Sequence, residues 1–128
     1  MTAFNFGERS LRNLRGVHPD LVAVARKALE LSSVDFVVTE GLRTKERQAE
    51  LMAAGASKTM NSRHITGHAI DVAAVVAGGV RWDWPLYARI AIAMKQAAKE
   101  LSVPIVWGGD WVSFKDGPHF ELDRRRYP

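Results

Sequence analysis

No cysteine occurs among the 128 residues of the chain. Disulfides are thereby excluded, and so are thiolate metal sites and a cysteine nucleophile. Any metal must be held by His, Asp and Glu, which suits a catalytic site better than a structural one. No run approaches the roughly 18 apolar residues that would span a bilayer, so no membrane insertion is expected. The opening MTAFNFGERSLRNLRG has no apolar h-region and no cleavage signal, so no signal peptide is read there. The protein is expected to be made, and at first to stay, in the cytoplasm. Repeats, low-complexity tracts, linkers and heptads are also missing, which predicts one domain over 1–128, a monomer, and no separate wall-binding module.

What is present is an ordinary globular composition, 47% hydrophobic and 25% charged, long enough to bury a core. The net charge is +4, with Arg9, Arg12 and Arg15 near the start and Arg124, Arg125 and Arg126 near the end. Such an excess suits an anionic partner, whether nucleic acid, lipid or cell-wall polymer, and equally suits a merely soluble surface. No aromatic-basic stripe and no helix-turn-helix pattern supports nucleic acid, so none is expected as a partner.

Periodicity predicts three helices. Residues 19–32 place Leu21, Val24, Ala25, Ala28 and Leu29 on one face, with Pro19 and Asp20 in the first turn. Thr44 is a cap for a second helix over 45–55, ended by Gly55. A third, about 84–101, carries Leu86, Ile90, Ala93, Met94, Ala97 and Leu101 behind Asp83 or Trp84 as cap. Strands are expected at 36–39, 69–76, 105–107 and 119–122, a loop over 56–68, and a hairpin turn at Gly78-Gly79. The sum is an α+β fold, about three helices on a small, mainly antiparallel sheet.

Three short segments carry candidate chemistry. In Ser62-Arg63-His64-Ile65-Thr66-Gly67-His68-Ala69-Ile70-Asp71, a chain reversal near Gly67 lets His64 and Asp71 converge. A carboxylate inside an apolar strand is costly unless paired, hydrogen-bonded or metal-bound. The same spacing also fits an Asp71 that caps a turn or pairs with an arginine, with His64 a surface loop residue. In Asp116-Gly117-Pro118-His119-Phe120-Glu121, the stiff Gly-Pro turn separates an acid from a histidine. His119 could then ligate a metal while Asp116 lies beside an attacking water, or both could be ordinary turn residues. In Glu40-Gly41-Leu42-Arg43-Thr44, Arg43 could neutralise an oxyanion, hold a substrate carboxylate, or simply begin a helix.

Together these segments resemble the M15 peptidases: zinc D-Ala-D-Ala carboxypeptidases, dipeptidases and phage L-alanyl-D-glutamate endopeptidases. The pattern S-x-H-x-x-G-x-A-x-D is met by Ser62, His64, Gly67, Ala69 and Asp71. An acid three residues before the last histidine is met by Asp116 and His119, and G-x-R by Gly41, Leu42 and Arg43. The resemblance is nearest to the phage endolysin branch, of the T5-endolysin type. It extends through Phe4-Asn5-Phe6-Gly7, residues 25–32 and Gly108-Gly109-Asp110-Trp111.

The resemblance implies a Hedgehog/D,D-peptidase-like fold and one zinc ion per chain on His64, Asp71 and His119. Asp116 would be general base and then acid, Arg43 would stabilise the oxyanion or orient substrate, and Ser62 would orient His64 or touch substrate. It further implies an endolysin that hydrolyses the L-Ala–D-Glu bond of the peptidoglycan stem peptide. Such an enzyme waits in the host cytoplasm until the membrane is opened. Alternatives are a zinc D,D-carboxypeptidase or dipeptidase acting on D-Ala termini, and a zinc-holding binding domain without catalysis. Two features depart from that branch: His68 stands where an acid can occur, and the stretch from Trp111 to His119 has no counterpart of an acidic calcium loop.

Overall fold

The computed structural model describes residues 4–57 and 60–128. Four helices and five strands follow one another along them: α1 (Glu8–Asn13), α2 (Pro19–Leu31), β1 (Asp35–Glu40), α3 (Lys45–Ala53), β2 (Ala69–Val76), β3 (Gly79–Arg81), α4 (Trp84–Leu101), β4 (Ile105–Trp107) and β5 (His119–Leu122). A single 3-10 turn, Gly108–Asp110, follows β4. The expected α+β class is found, with one helix more than periodicity gave. Within the loop expected over 56–68, residues 58 and 59 lie outside the described residues.

All strand pairs are antiparallel, in the order β1-β2-β5-β4. Ala74 pairs with both Phe36 and Arg81, so β3 extends the side of β2 that β5 occupies further along. The hairpin turn is one residue earlier than expected. Ala77 and Gly78 both have positive φ, and Gly79 already pairs with Val76. A two-residue hairpin whose central residues both adopt positive φ matches the twist of the strands it joins.

Helices α2 and α4 cover the sheet with apolar stripes. Leu21, Val24, Ala25, Ala28 and Leu29 of α2 are buried, as are Ile90, Ala93, Met94 and Ala97 of α4. Phe36, Val38, Ile70, Val72, Phe120 and Leu122 meet them from the sheet. Each large apolar side chain so buried contributes about 1.5–3 kcal/mol, and this layer holds the domain together.

The two smaller helices are held differently. The sole buried residue of α1 is Ser10, whose hydroxyl accepts from Val38 N–H at 3.0 Å. Asn13 donates to the Val38 carbonyl at 2.8 Å. Helix α1 thus closes the edge of β1 with side-chain hydrogen bonds, a role without apolar periodicity. Helix α3 buries only Gln48, so polar contacts and the Thr44 cap, accepting from Arg47 N–H at 3.0 Å, fix it in place.

Candidate active site

Sheet register brings the first two candidates together. Asp71 on β2 lies opposite His119 on β5, and His119 Nδ1 is 3.2 Å from Asp71 Oδ1. His64 arrives from the loop before β2, its Nε2 also 3.2 Å from Asp71 Oδ1. The reversal that places it turns at Gly67, with φ 77°, where an added Cβ would lie 2.5 Å from the Gly16 carbonyl oxygen. Only glycine combines that backbone with that approach. The convergence foreseen from the spacing is therefore present.

Each imidazole is fixed from behind. His64 Nδ1 is 2.9 Å from the Gly41 carbonyl oxygen, and His119 Nε2 is 2.9 Å from Glu121 Oε1. A carbonyl and a carboxylate can only accept, so these ring nitrogens carry the protons. In the neutral rings, His64 Nε2 and His119 Nδ1 are then lone pairs aimed at an anionic Asp71. Three electron-pair donors lie within 4.8 Å of one another, an arrangement suited to a cation between them. The group could bind a metal ion, and its outer hydrogen bonds are the kind that orient metal-ligating histidines.

Ionisation follows from the same contacts. Burial works against the charged form of Asp71, but its contacts with His119 and His64 outweigh it and hold the carboxyl well below its usual range. Burial likewise opposes the charge on His119, yet the bonds to Asp71 and Glu121 push it up to about 9. One proton on His119 thus does in the metal-free protein what a cation would do.

Asp116 lies on the loop just before β5 and lines the cavity containing the three donors. Burial raises its pKa, as does the Asp71 charge, against smaller opposing effects of His119, His64 and Arg43. A raised carboxyl pKa beside a candidate metal centre suits proton transfer. The loop is seated by Gly108, whose carbonyl accepts from Asp116 N–H at 3.0 Å. A Cβ on Gly108 would come within 2.3 Å of the Asp116 carbonyl oxygen, so glycine permits this packing.

Arg43 is anchored more tightly than its place at a helix start suggests. Its guanidinium forks onto Glu40 at 2.6 and 2.7 Å and donates to Gln48 Oε1 at 2.7 Å. Nη2 lies 3.8 Å from Asp71 Oδ2. Ser62 accepts from His64 N–H at 3.2 Å, which places it as a positioner of the loop.

Other residues sort clearly. Glu121 was legible as a neighbour of His119; its contact with Nε2 makes it the outer partner of a candidate ligand. Glu40 and Gln48 were missed, although an acid three residues before Arg43 was a readable signal. His68 points elsewhere, with Nδ1 2.7 Å from Thr66 Oγ1 and its ring 5.7 Å from that of His18. Asp110 is exposed and paired with Lys95 at 2.7 Å.

The cavity measures about 650 Å³, within the range of small-ligand sites. Besides the centre it is lined by Arg43, Arg63, Lys115 and Arg124 and by Glu40, Asp116 and Glu121, so its wall carries both signs of charge. Among the described residues, no helix is long and apolar enough to cross a membrane.

Comparison with known proteins places this geometry. A family model described as phage L-alanyl-D-glutamate peptidase matches residues 2–125. The L-alanyl-D-glutamate peptidase of Escherichia phage T5 is 40% identical, over 98% of this chain and 93% of its own. That of Listeria phage A118 is 38% identical over 99% of this chain but 45% of its own length. The crystal structure of the Serratia marcescens L-Ala D-Glu endopeptidase ChiX superposes with a TM-score of 0.92 at 54% identity, covering 97% of this chain and 94% of that one.

Proposed function

Because the chain belongs to the phage L-alanyl-D-glutamate peptidase family, we propose that it hydrolyses the L-Ala–D-Glu bond of the peptidoglycan stem peptide with one zinc ion held by His64, Asp71 and His119. The observation that carries this reading is the convergence of two back-anchored imidazoles and one carboxylate in the same cavity as Asp116. The chain is a peptidoglycan hydrolase, and the names of its relatives favour the L-Ala–D-Glu bond over trimming of terminal D-Ala.

Two histidines and one carboxylate form a zinc donor set that leaves a coordination position open. When bound, the ion acidifies a water molecule and polarises the scissile carbonyl. Asp116 accepts the proton of the attacking water and returns it to the D-Glu amine as the peptide bond breaks. Arg43, with its fork held by Glu40 and Gln48, faces the negative charge that develops on the L-Ala carbonyl oxygen. Ser62 keeps the His64 loop in register, and Glu121 and the Gly41 carbonyl hold the two rings in the ligating tautomers.

We further propose that the protein acts as a monomer, without nucleic acid, on the wall of a bacterial host during phage lysis. Its cytoplasmic stage ends when another agent opens the membrane. The arginines and the lysine in the cavity wall suit the carboxylates of the stem peptide.

The test is clearing of purified peptidoglycan by protein reconstituted with zinc. Clearing should stop on chelation and return on adding back one equivalent of zinc. Full clearing after exhaustive chelation, verified by metal analysis, would remove the metal from the mechanism.

A further inference from the structure

The stretch between the 3-10 turn and β5 is anchored at both ends and apolar in the middle. Trp111 N–H and Asp116 N–H both donate to the Gly108 carbonyl, at 3.3 and 3.0 Å. Between them Val112 is fully exposed and Phe114 is 73% exposed. Phe114 has a φ of 52°, a left-handed conformation that non-glycine residues rarely adopt and that clusters at functional sites. Trp111 packs on the candidate ligand His119 with ring centroids 5.1 Å apart. Trp111 and Phe114 are the two aromatic side chains that line the cavity, and charged groups such as Arg43, Arg63, Arg124 and Glu121 line much of the rest.

Substrate chemistry gives this aromatic wall an occupant. In peptidoglycan the amino group of L-Ala is acylated by the lactyl ether of muramic acid. One extended residue spans about 3.5 Å, so a pyranose ring must lie within about 10 Å of the scissile carbonyl. The ring carries an apolar C–H face that stacks on aromatic side chains, whereas a charged wall would have to be desolvated to receive it. Exposed apolar groups beside a binding cavity are a recurrent mark of ligand contact.

We propose that Trp111 and Phe114 form a glycan subsite that takes the amino-sugar ring borne by the L-Ala residue. Trp111, fixed against His119, is the inner surface, and Phe114 is the outer one. The subsite rests on the reading of L-Ala–D-Glu cleavage given above, and it makes the enzyme a reader of the glycan as well as of the peptide.

The test compares kcat/KM on a disaccharide-tetrapeptide muropeptide with that on the same tetrapeptide N-acetylated at L-Ala. Both carry an amide at that position, and only one carries sugar. Wild-type protein should favour the muropeptide by roughly tenfold, the scale of one aromatic stacking contact. Phe114→Ala should bring that ratio close to one, mainly through KM on the muropeptide, and Phe114→Tyr should restore it. A wild-type ratio near one, or a ratio that Phe114→Ala leaves as it was, would overturn the subsite while leaving the endopeptidase reading intact. Cleavage of neither substrate at L-Ala–D-Glu by wild-type protein would overturn the endopeptidase reading, and the subsite with it.

Discussion

Asp71 and His119 face each other across the antiparallel pairing of β2 and β5, so the sheet itself sets the spacing of two candidate ligands. The third candidate ligand, His64, belongs to a loop, but Arg43 N–H donates to its carbonyl at 2.9 Å and the Gly41 carbonyl accepts from its ring. A centre built this way is largely preorganised, because ligand positions follow from ladder register and short tethers.

Removal of a ligand and removal of its outer partner should differ in degree. His119→Ala is expected to abolish both zinc binding and turnover. Glu121→Gln keeps the shape but replaces the carboxylate that orients the ring, and should weaken zinc affinity by about 10–100-fold. Competition titration with a chromogenic chelator separates the two; equal loss in both variants would contradict the distinction.

Asp116 is assigned to proton transfer and to no part of metal binding. Asp116→Asn should therefore retain one zinc per chain while kcat falls by about 10²–10⁴-fold. Metal analysis alongside muropeptide turnover checks both halves. Wild-type turnover in this variant would place the base elsewhere.

The metal-free protein should show a His119 that titrates near pH 9, against about 6.5 for an ordinary imidazole. The sign follows from linkage. A raised folded value stabilises the apoprotein fully below the ordinary pKa, and that stabilisation is lost as pH rises through about 9. Zinc competes with the same proton, so its apparent affinity should climb with pH up to that value. Imidazole NMR of the apoprotein should reveal the titration, and stoichiometric zinc should abolish it.

Arg43 holds its place through a forked contact with Glu40, which lysine cannot reproduce. Arg43→Lys should lower kcat by about 100-fold, the cost of one oxyanion donor, with a smaller change in KM. A rise in KM alone would assign Arg43 to ground-state binding of a substrate carboxylate.

Much of this was legible in the amino-acid order. Ser62 to Asp71 and Asp116 to His119 carry the centre because a local reversal and a stiff turn translate spacing directly into geometry. Long amphipathic helices such as α2 and α4 were legible because burial of Leu21 or Ile90 imposes a period. Helix α1 was not, since Ser10 and Asn13 bind β1 through hydrogen bonds that leave no apolar stripe. Gln48 was hidden for the same reason: a polar residue becomes buried through its contact with Arg43, not by hydrophobicity. The packing role of Gly108 was not legible, because its need for a missing side chain arises only when the Asp116 loop packs on it.

Mass spectrometry of peptidoglycan digested by the zinc-loaded protein identifies the bond that is cut. New stem-peptide N-termini beginning with D-Glu, with L-Ala left on the glycan, are the expected products, and neither should form after chelation. Release of free D-Ala with the L-Ala–D-Glu bond intact would contradict the endopeptidase reading.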